Sequence, residues 1–338
     1  MIELMSWGFV TAATRFGILH FYPTDVFSHV TPDQLAQSLK SNGIGWPSND
    51  DARSAPAEAG SVCGAAFGDS FTFGGEVEDN EAWVHLLSRR LGCRVRNYGV
   101  SGYGVDQSVL RYERTTPAGN LVVIGLFIEM PRRSVAASWT FYASAEPPVY
   151  SNIKPYFTLA SPELRLHPIP QPLTREAVAA HHADDYYMNH VWTANRFPYS
   201  FQIASALYKR VLRAAEYRLL TDAFWGEAHP SGSGVLTRRL VDRLARAART
   251  QGKQVAIVLM QHVDRLSADT PHYDTFADDM RGRGDVCVID TKPVLRTQAN
   301  LVGRQALRAT NGHYTPLGNR VIAEIVAAGL DQCSIKLD

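Results

Sequence analysis

Two residues far apart in the chain could together carry nucleophilic acyl chemistry. Ser70 lies in Gly68-Asp69-Ser70-Phe71-Thr72-Phe73-Gly74, directly after the apolar run Ser61 to Phe67. His313 lies in Asn311-Gly312-His313-Tyr314-Thr315-Pro316-Leu317-Gly318, just before the last amphipathic segment. A hydroxyl at the end of a buried strand is a weak nucleophile until a base takes its proton, and an imidazole is the side chain best suited to do so near neutral pH. Taken alone, Gly-Asp-Ser reads as a turn, since all three residues are common there. The case therefore depends on the wider frame and on the elements that hold the two groups.

Five short apolar runs read as buried strands: Val62 to Phe67, Val95 to Tyr98, Leu121 to Ile128, Val255 to Met260 and Val286 to Ile289. Helical spacing fills the intervals. Trp83, Leu86, Leu87 and Leu91 share a face, with Asp79 or Asn80 as the expected cap and Gly92 as the stop. Leu236, Leu240, Leu244 and Ala247 mark a second helix ending near Gly252, and Pro316 and Gly329 frame a third. This alternation predicts an α/β fold with a parallel sheet covered on both faces. In such sheets ligands bind beyond the carboxyl ends of the strands. Ser70 follows the first strand, Ser101-Gly102 the second and the Ile128 to Arg133 turn the third, so the three loops should open on one edge.

The stretch from Pro131 to about Tyr199 breaks the pattern with Pro147-Pro148, Pro168-Ile169-Pro170 and many aromatics. It is too long for a plain connection and reads as an insertion after strand three, over the site, spanning about 131–200 of a main domain 61–338. Residues 1–60, with clusters such as Trp46-Pro47-Ser48-Asn49-Asp50, read as a segment wrapping the core.

Ala66-Phe67-Gly68-Asp69-Ser70-Phe71-Thr72-Phe73-Gly74, then Asn97-Tyr98-Gly99-Val100-Ser101-Gly102-Tyr103-Gly104-Val105-Asp106-Gln107, then Gly312-His313, resembles the SGNH or GDSL-type hydrolase family over most of the chain from about Ile44 to Gly329. The α/β-hydrolase elbow is excluded, because Thr72 stands where its second glycine belongs. The resemblance implies a three-layer, flavodoxin-like α/β/α sandwich, Ser70 as nucleophile, His313 as base, and an oxyanion hole including the amides of Ser70 and Gly102. No cofactor is implied. Two positions depart from the family pattern. Where the family offers a neutral Asn amide after strand three, this chain has Glu129 or Met130, and where an acid precedes the histidine it has Thr310 and Asn311. An Asn carbonyl can hold an imidazole tautomer but does not stabilise imidazolium as a carboxylate does. Glu129 or Asp106 could supply the acid from elsewhere.

The bland readings of the remaining candidates are these. Asp69 is a turn and hydrogen-bonding residue, Asp106 a helix-start acid favoured by the dipole, and Arg132-Arg133 solvated loop charges. His181-His182-Ala183-Asp184-Asp185 reads as a surface turn, with no metal site expected. Lys plus Arg number 34 against 33 Asp plus Glu in 338 residues, so no electrostatic case exists for nucleic acid. Cys63, Cys93, Cys287 and Cys333 lack CxxC spacing and are expected as buried free thiols, which favours a reducing, cytoplasmic compartment. The stretch Leu4 to Phe21 is interrupted by Arg15 and His20 and supports neither a signal peptide nor a membrane span, although a membrane-proximal helix stays open.

The expected activity is a serine-dependent ester hydrolase acting on an acylated carbohydrate or glycosylated small molecule. An O-acyltransferase and a catalytically weakened glycan- or partner-binding protein are the alternatives.

Overall fold

In a computed structural model that describes residues 2–15, 21–23, 44–45, 51–53, 60–138, 153–160, 163–172, 174–190, 193–195, 197–219 and 222–337, the described strands are nine. They are β1 (Phe21–Pro23), β2 (Val62–Phe67), β3 (Arg94–Asn97), β4 (Leu121–Phe127), β5 (Tyr156–Ala160), β6 (Glu163–His167), β7 (Thr193–Asn195), β8 (Gln254–Met260) and β9 (Cys287–Asp290). The Trp46 to Asp50 and Pro147-Pro148 clusters fall outside the described residues.

Strands β2, β4 and β8 read as unbroken apolar runs because both of their faces are covered. They form the centre of a five-stranded parallel sheet in the order β3-β2-β4-β8-β9. Chain direction across the sheet reverses after β3, so the crevice between β2 and β4 is the topological switch point, where open α/β sheets place their ligands. The short β1–β7 pair is parallel, and β5–β6 is an antiparallel hairpin within 131–200.

The described helices are α1 (Ile2–Arg15), α2 (Ser70–Phe73), α3 (Trp83–Leu91), α4 (Val105–Thr115), α5 (Met130–Ser134), α6 (Arg175–His181), α7 (Tyr186–His190), α8 (Tyr199–Leu219), α9 (Ser233–Thr250), α10 (Pro271–Arg283), α11 (Lys292–Val302), α12 (Arg304–Leu307) and α13 (Pro316–Gln332). One layer packs α3 against α13, and the other packs α4 against α9. On α9, Leu236, Leu240 and Leu244 fall on one stripe and are fully or almost fully buried. Each such side chain contributes about 1.5–3 kcal/mol to burying that face.

Several local expectations are corrected. Asp79 does not cap α3; it begins a 3₁₀ turn, and the first amide of α3, that of Trp83, donates instead to the Asn319 side chain of α13 at 3.1 Å. Gly329 does not end α13, which runs on to Gln332. A Cβ there would lie 2.6 Å from Ile289 Cγ1, so this glycine lets the helix press onto β9. His181, His182 and Asp185 are buried rather than on a surface turn.

The four cysteines are not free thiols. Cys63 pairs with Cys93 and Cys287 with Cys333, because chain reversals bring β2 beside the lead-in to β3 and β9 beside the end of α13. Linear spacing carries no trace of either pairing, and the inference of a reducing compartment loses its basis. Both bridges sit near the amino ends of their strands, on the sheet edge opposite Ser70.

Candidate functional site

Strand β2 ends at Phe67, and the chain must turn at once to start α2. Gly68 makes this possible: its φ is +155°, and a Cβ would lie 2.1 Å from Thr72 Oγ1 and 2.7 Å from Gly125 O. Asp69 then caps α2, its carboxylate accepting from the Phe71 amide at 2.9 Å, as expected of a turn residue. Gly74 closes the helix at φ +82°, and the amides of Gly74 and Gly75 both donate to Ser70 O. From β3, Asn97 Nδ2 donates to the carbonyls of Thr72 and Phe73, at 3.0 and 3.1 Å, which fastens the Ser70 turn to the neighbouring strand.

His313 reaches the same place from the loop between α12 and α13. Tyr314 anchors that loop by donating from its hydroxyl to Gln261 O at 2.7 Å, and Thr315 caps α13. The imidazole packs on Phe71 with ring centroids 4.9 Å apart. It also lies over Gly75, where a Cβ would be 3.2 Å from Nε2. Two loops separated by most of the chain therefore meet, with the His313 ring against Phe71 and Gly75. Ser70 itself is 8% exposed, and the His313 side chain is 23% exposed.

The acid partner comes from neither position before the histidine. Glu76 Oε2 lies 2.8 Å from His313 Nδ1 and also accepts the His313 amide at 3.2 Å, while Oε1 accepts the Asn311 amide at 2.8 Å. Asn311 thus serves through its backbone, and its side chain is exposed. Burial alone would raise the Glu76 pKa, but the hydrogen bonds from Asn311 and His313 outweigh it and hold the carboxyl below its ordinary value. Glu76 sits at φ +68°, a conformation that non-glycine residues seldom adopt. With Nδ1 held by a carboxylate, Nε2 is left as the nitrogen able to exchange a proton.

At the end of β4, Met130 is buried with its sulfur 3.2 Å from the Phe127 amide, which leaves Glu129 as the polar side chain of this turn. Its carboxylate does not stand alone. Oε2 accepts from Arg132 at 2.6 Å and Arg133 at 3.4 Å, and Oε1 lies 3.2 Å from His262 Nε2. Burial opposes ionisation, yet His262 and the two guanidinium groups prevail and hold Glu129 well below the usual carboxylate range. Arg133 also donates to Asp69 at 2.8 Å and to Tyr103 O at 3.2 Å. It therefore bridges the residue before Ser70 and the residue after Gly102. Complete burial raises the Asp69 pKa, against the pull of Arg133. Arg132 and Arg133 are thus structural ion-pair partners rather than solvated loop charges, a role that linear context does not reveal.

The remaining candidates resolve as follows. Gly102, at φ +82°, lies in the loop after β3, beside the Ser70 loop that Arg133 ties to it. Asp106 lies in the first turn of α4, as expected of a helix-start acid, and is also fully buried and ion-paired with Lys154 from the 131–200 segment. His262, which follows β8, was not anticipated. It packs edge-on against Phe71 and Phe127, with centroids 5.5 and 4.6 Å away. Its signal in the sequence is only its position directly past a strand end. Among the described residues no group of three or more potential ligands is arranged to hold a metal.

No protein-family model and no curated relative matches the sequence. Among solved structures, the chain is similar to a member of the lipolytic protein G-D-S-L family from Veillonella parvula, at 13% identity and TM-score 0.39, over 80% of this chain and 97% of that one. It is similar to an alpha/beta hydrolase enzyme from the metagenome of Lake Arreo, at 14% identity and TM-score 0.43, over 82% and 98%. It is also similar to a catalytic mutant of an acetylxylan esterase from Geobacillus stearothermophilus, at 14% and 0.39, over 83% and 98%.

Proposed function

We propose that the protein is a serine-dependent ester hydrolase in which Ser70, His313 and Glu76 act as one unit. The observation that carries this reading is the 2.8 Å contact between His313 Nδ1 and Glu76, with the imidazole resting on the residues that flank Ser70. In the first step Ser70 Oγ attacks the acyl carbonyl while His313 Nε2 takes its proton and Glu76 stabilises the imidazolium. The proton then passes to the departing alcohol, leaving an acyl-Ser70 ester. Water repeats the sequence and releases the acid. The amides of Ser70 and Gly102 hold the oxyanion, and the Glu129 carboxylate, neutralised by Arg132 and Arg133, does not oppose it.

The substrate is an acylated carbohydrate or glycosylated small molecule, with the 131–200 segment forming part of the acceptor side. Supporting this, Tyr187 from that segment donates to Arg132 O at 3.0 Å and so touches the loop bearing Glu129. The test is labelling by a fluorophosphonate probe. Wild type should be modified at Ser70, and Ser70→Ala and His313→Ala should not. An unlabelled wild type, or a label elsewhere, overturns the reading. Product analysis with acetylated sugars, with and without a second sugar, then separates hydrolysis from acyl transfer.

A further inference from the structure

Arg53 belongs to the segment before the 61–338 domain, yet its side chain lies inside the loop that joins α2 to α3 and carries Glu76. Its Nη1 donates to Phe73 O and, at 2.7 Å, to Gly74 O, while Nη2 donates to Val77 O at 2.7 Å. Nε donates to Asp79 at 2.6 Å, so the charge of Arg53 is matched there and the Glu76 carboxylate is left to the His313 loop. The guanidinium carbon sits 4.4 Å from the centroid of the Phe73 ring, and the Arg53 side chain is 8% exposed. The Arg53 amide donates to Asn97 O at 2.7 Å, and the Asn97 side chain donates to the carbonyls of Thr72 and Phe73. One guanidinium thereby ties the loop to β3.

The carbonyls it holds lie on both sides of Glu76, Gly74 before it and Val77 after it. That matters because Glu76 stands at φ +68°, which a residue with a side chain keeps only where its surroundings impose it. The stretch from Gly74 to Val77 is a turn outside helix and strand, so no regular ladder satisfies its carbonyls. A planar guanidinium does, since it offers five donors in fixed directions, and an ammonium does not reproduce that fork. We infer that Arg53 is a positioning residue for the hydrolytic site: by clamping the backbone on either side of Glu76 it sets where that carboxylate meets His313. The inference rests on the proposed unit of Ser70, His313 and Glu76. The Glu76 carboxylate serves three groups at once, the amides of Asn311 and His313 and the imidazole Nδ1, so a loop free to relax at Glu76 would break all three together. A displacement of about 1 Å in such a constellation costs about 10²-fold in rate. The segment before the domain thus supplies a part of the site's geometry as well as covering the core.

The test is fluorophosphonate labelling of Ser70 in the full chain, well below the unfolding temperature, resolved into a limiting rate and a half-saturating probe concentration. Arg53→Met should lower the limiting rate by about 10²-fold and change the half-saturating concentration by less than about twofold. Arg53→Lys should recover part of that rate. In a Glu76→Ala background, Arg53→Met should cost less than about twofold more, because the group it places is gone. Where Arg53→Met does not fold, Arg53→Lys carries the same comparison in both backgrounds. A wild-type limiting rate in the Arg53 variants, or an equal loss with and without Glu76, overturns this inference alone. A wild type unlabelled at Ser70, or a Glu76→Ala protein labelled as fast as wild type, overturns the proposed unit and this inference with it.

Discussion

His313 Nδ1 and Glu76 Oε2 lie 2.8 Å apart although 237 residues separate them in the chain. The carboxylate is further fixed by the backbone amides of Asn311 and His313. One side chain therefore shapes the histidine loop and sets the tautomer of its ring.

Glu76→Gln should lower kcat by about 10²- to 10⁴-fold with little change in KM, because the amide can still hold the tautomer but not the developing imidazolium. Glu76 is held below its ordinary value, 4.5, so its charge and the stability it contributes persist above that pH and are lost only as pH falls through the depressed value. The acid limb of a kcat profile in the range of an ordinary histidine thus belongs to another group. A Glu76→Gln enzyme with wild-type kcat would remove Glu76 from the mechanism.

Arg133 holds Asp69 and Tyr103 together behind Ser70 and Gly102. Arg133→Met leaves the fully buried Asp69 without its ion-pair partner, which costs about 3–5 kcal/mol by thermal or denaturant unfolding. The deficit should shrink as pH falls and Asp69 is protonated. Arg133→Lys retains charge but loses the planar fork, so it should recover stability in part while probe labelling of Ser70 stays slower than in wild type. Equal labelling rates would show that the bridge does not tune the site.

Asp185 offers a pH test of the 131–200 segment. Burial pushes its carboxyl up to about 7, although the amides of Ala137 and Met188 pull the other way. The folded state therefore keeps a proton that the unfolded chain, with an ordinary value of 3.8, has released. Stability from this group is complete below the unfolded value and declines as pH rises toward 7, with a limiting slope of about 1.4 kcal/mol per pH unit. Asp185→Asn should flatten that decline in melting curves, and parallel curves for the two proteins would refute the shift.

Both disulfides lie on the sheet edge away from the site. Replacing Cys287 and Cys333 together by Ala should cost about 2–4 kcal/mol of stability. The kcat of the surviving folded enzyme should change little. A large loss of kcat at a temperature well below unfolding would place the bridge in the active geometry.

The sequence alone determined the strands of the sheet to within a residue or two, the three helices α3, α9 and α13, and the loops that carry Ser70, Gly102 and Glu129. It could do so because burial on both sheet faces writes itself as unbroken apolar runs, and glycine marks turns by conformational need. Only the tertiary structure decided the groups whose partners lie on other loops: Glu76 beside His313, Arg133 between Asp69 and Tyr103, Asn319 capping α3, and the two cysteine pairings. A charged or capping residue meets its partner across the folded surface. Local periodicity records the face on which a residue is buried, and it holds no record of which distant loop arrives there.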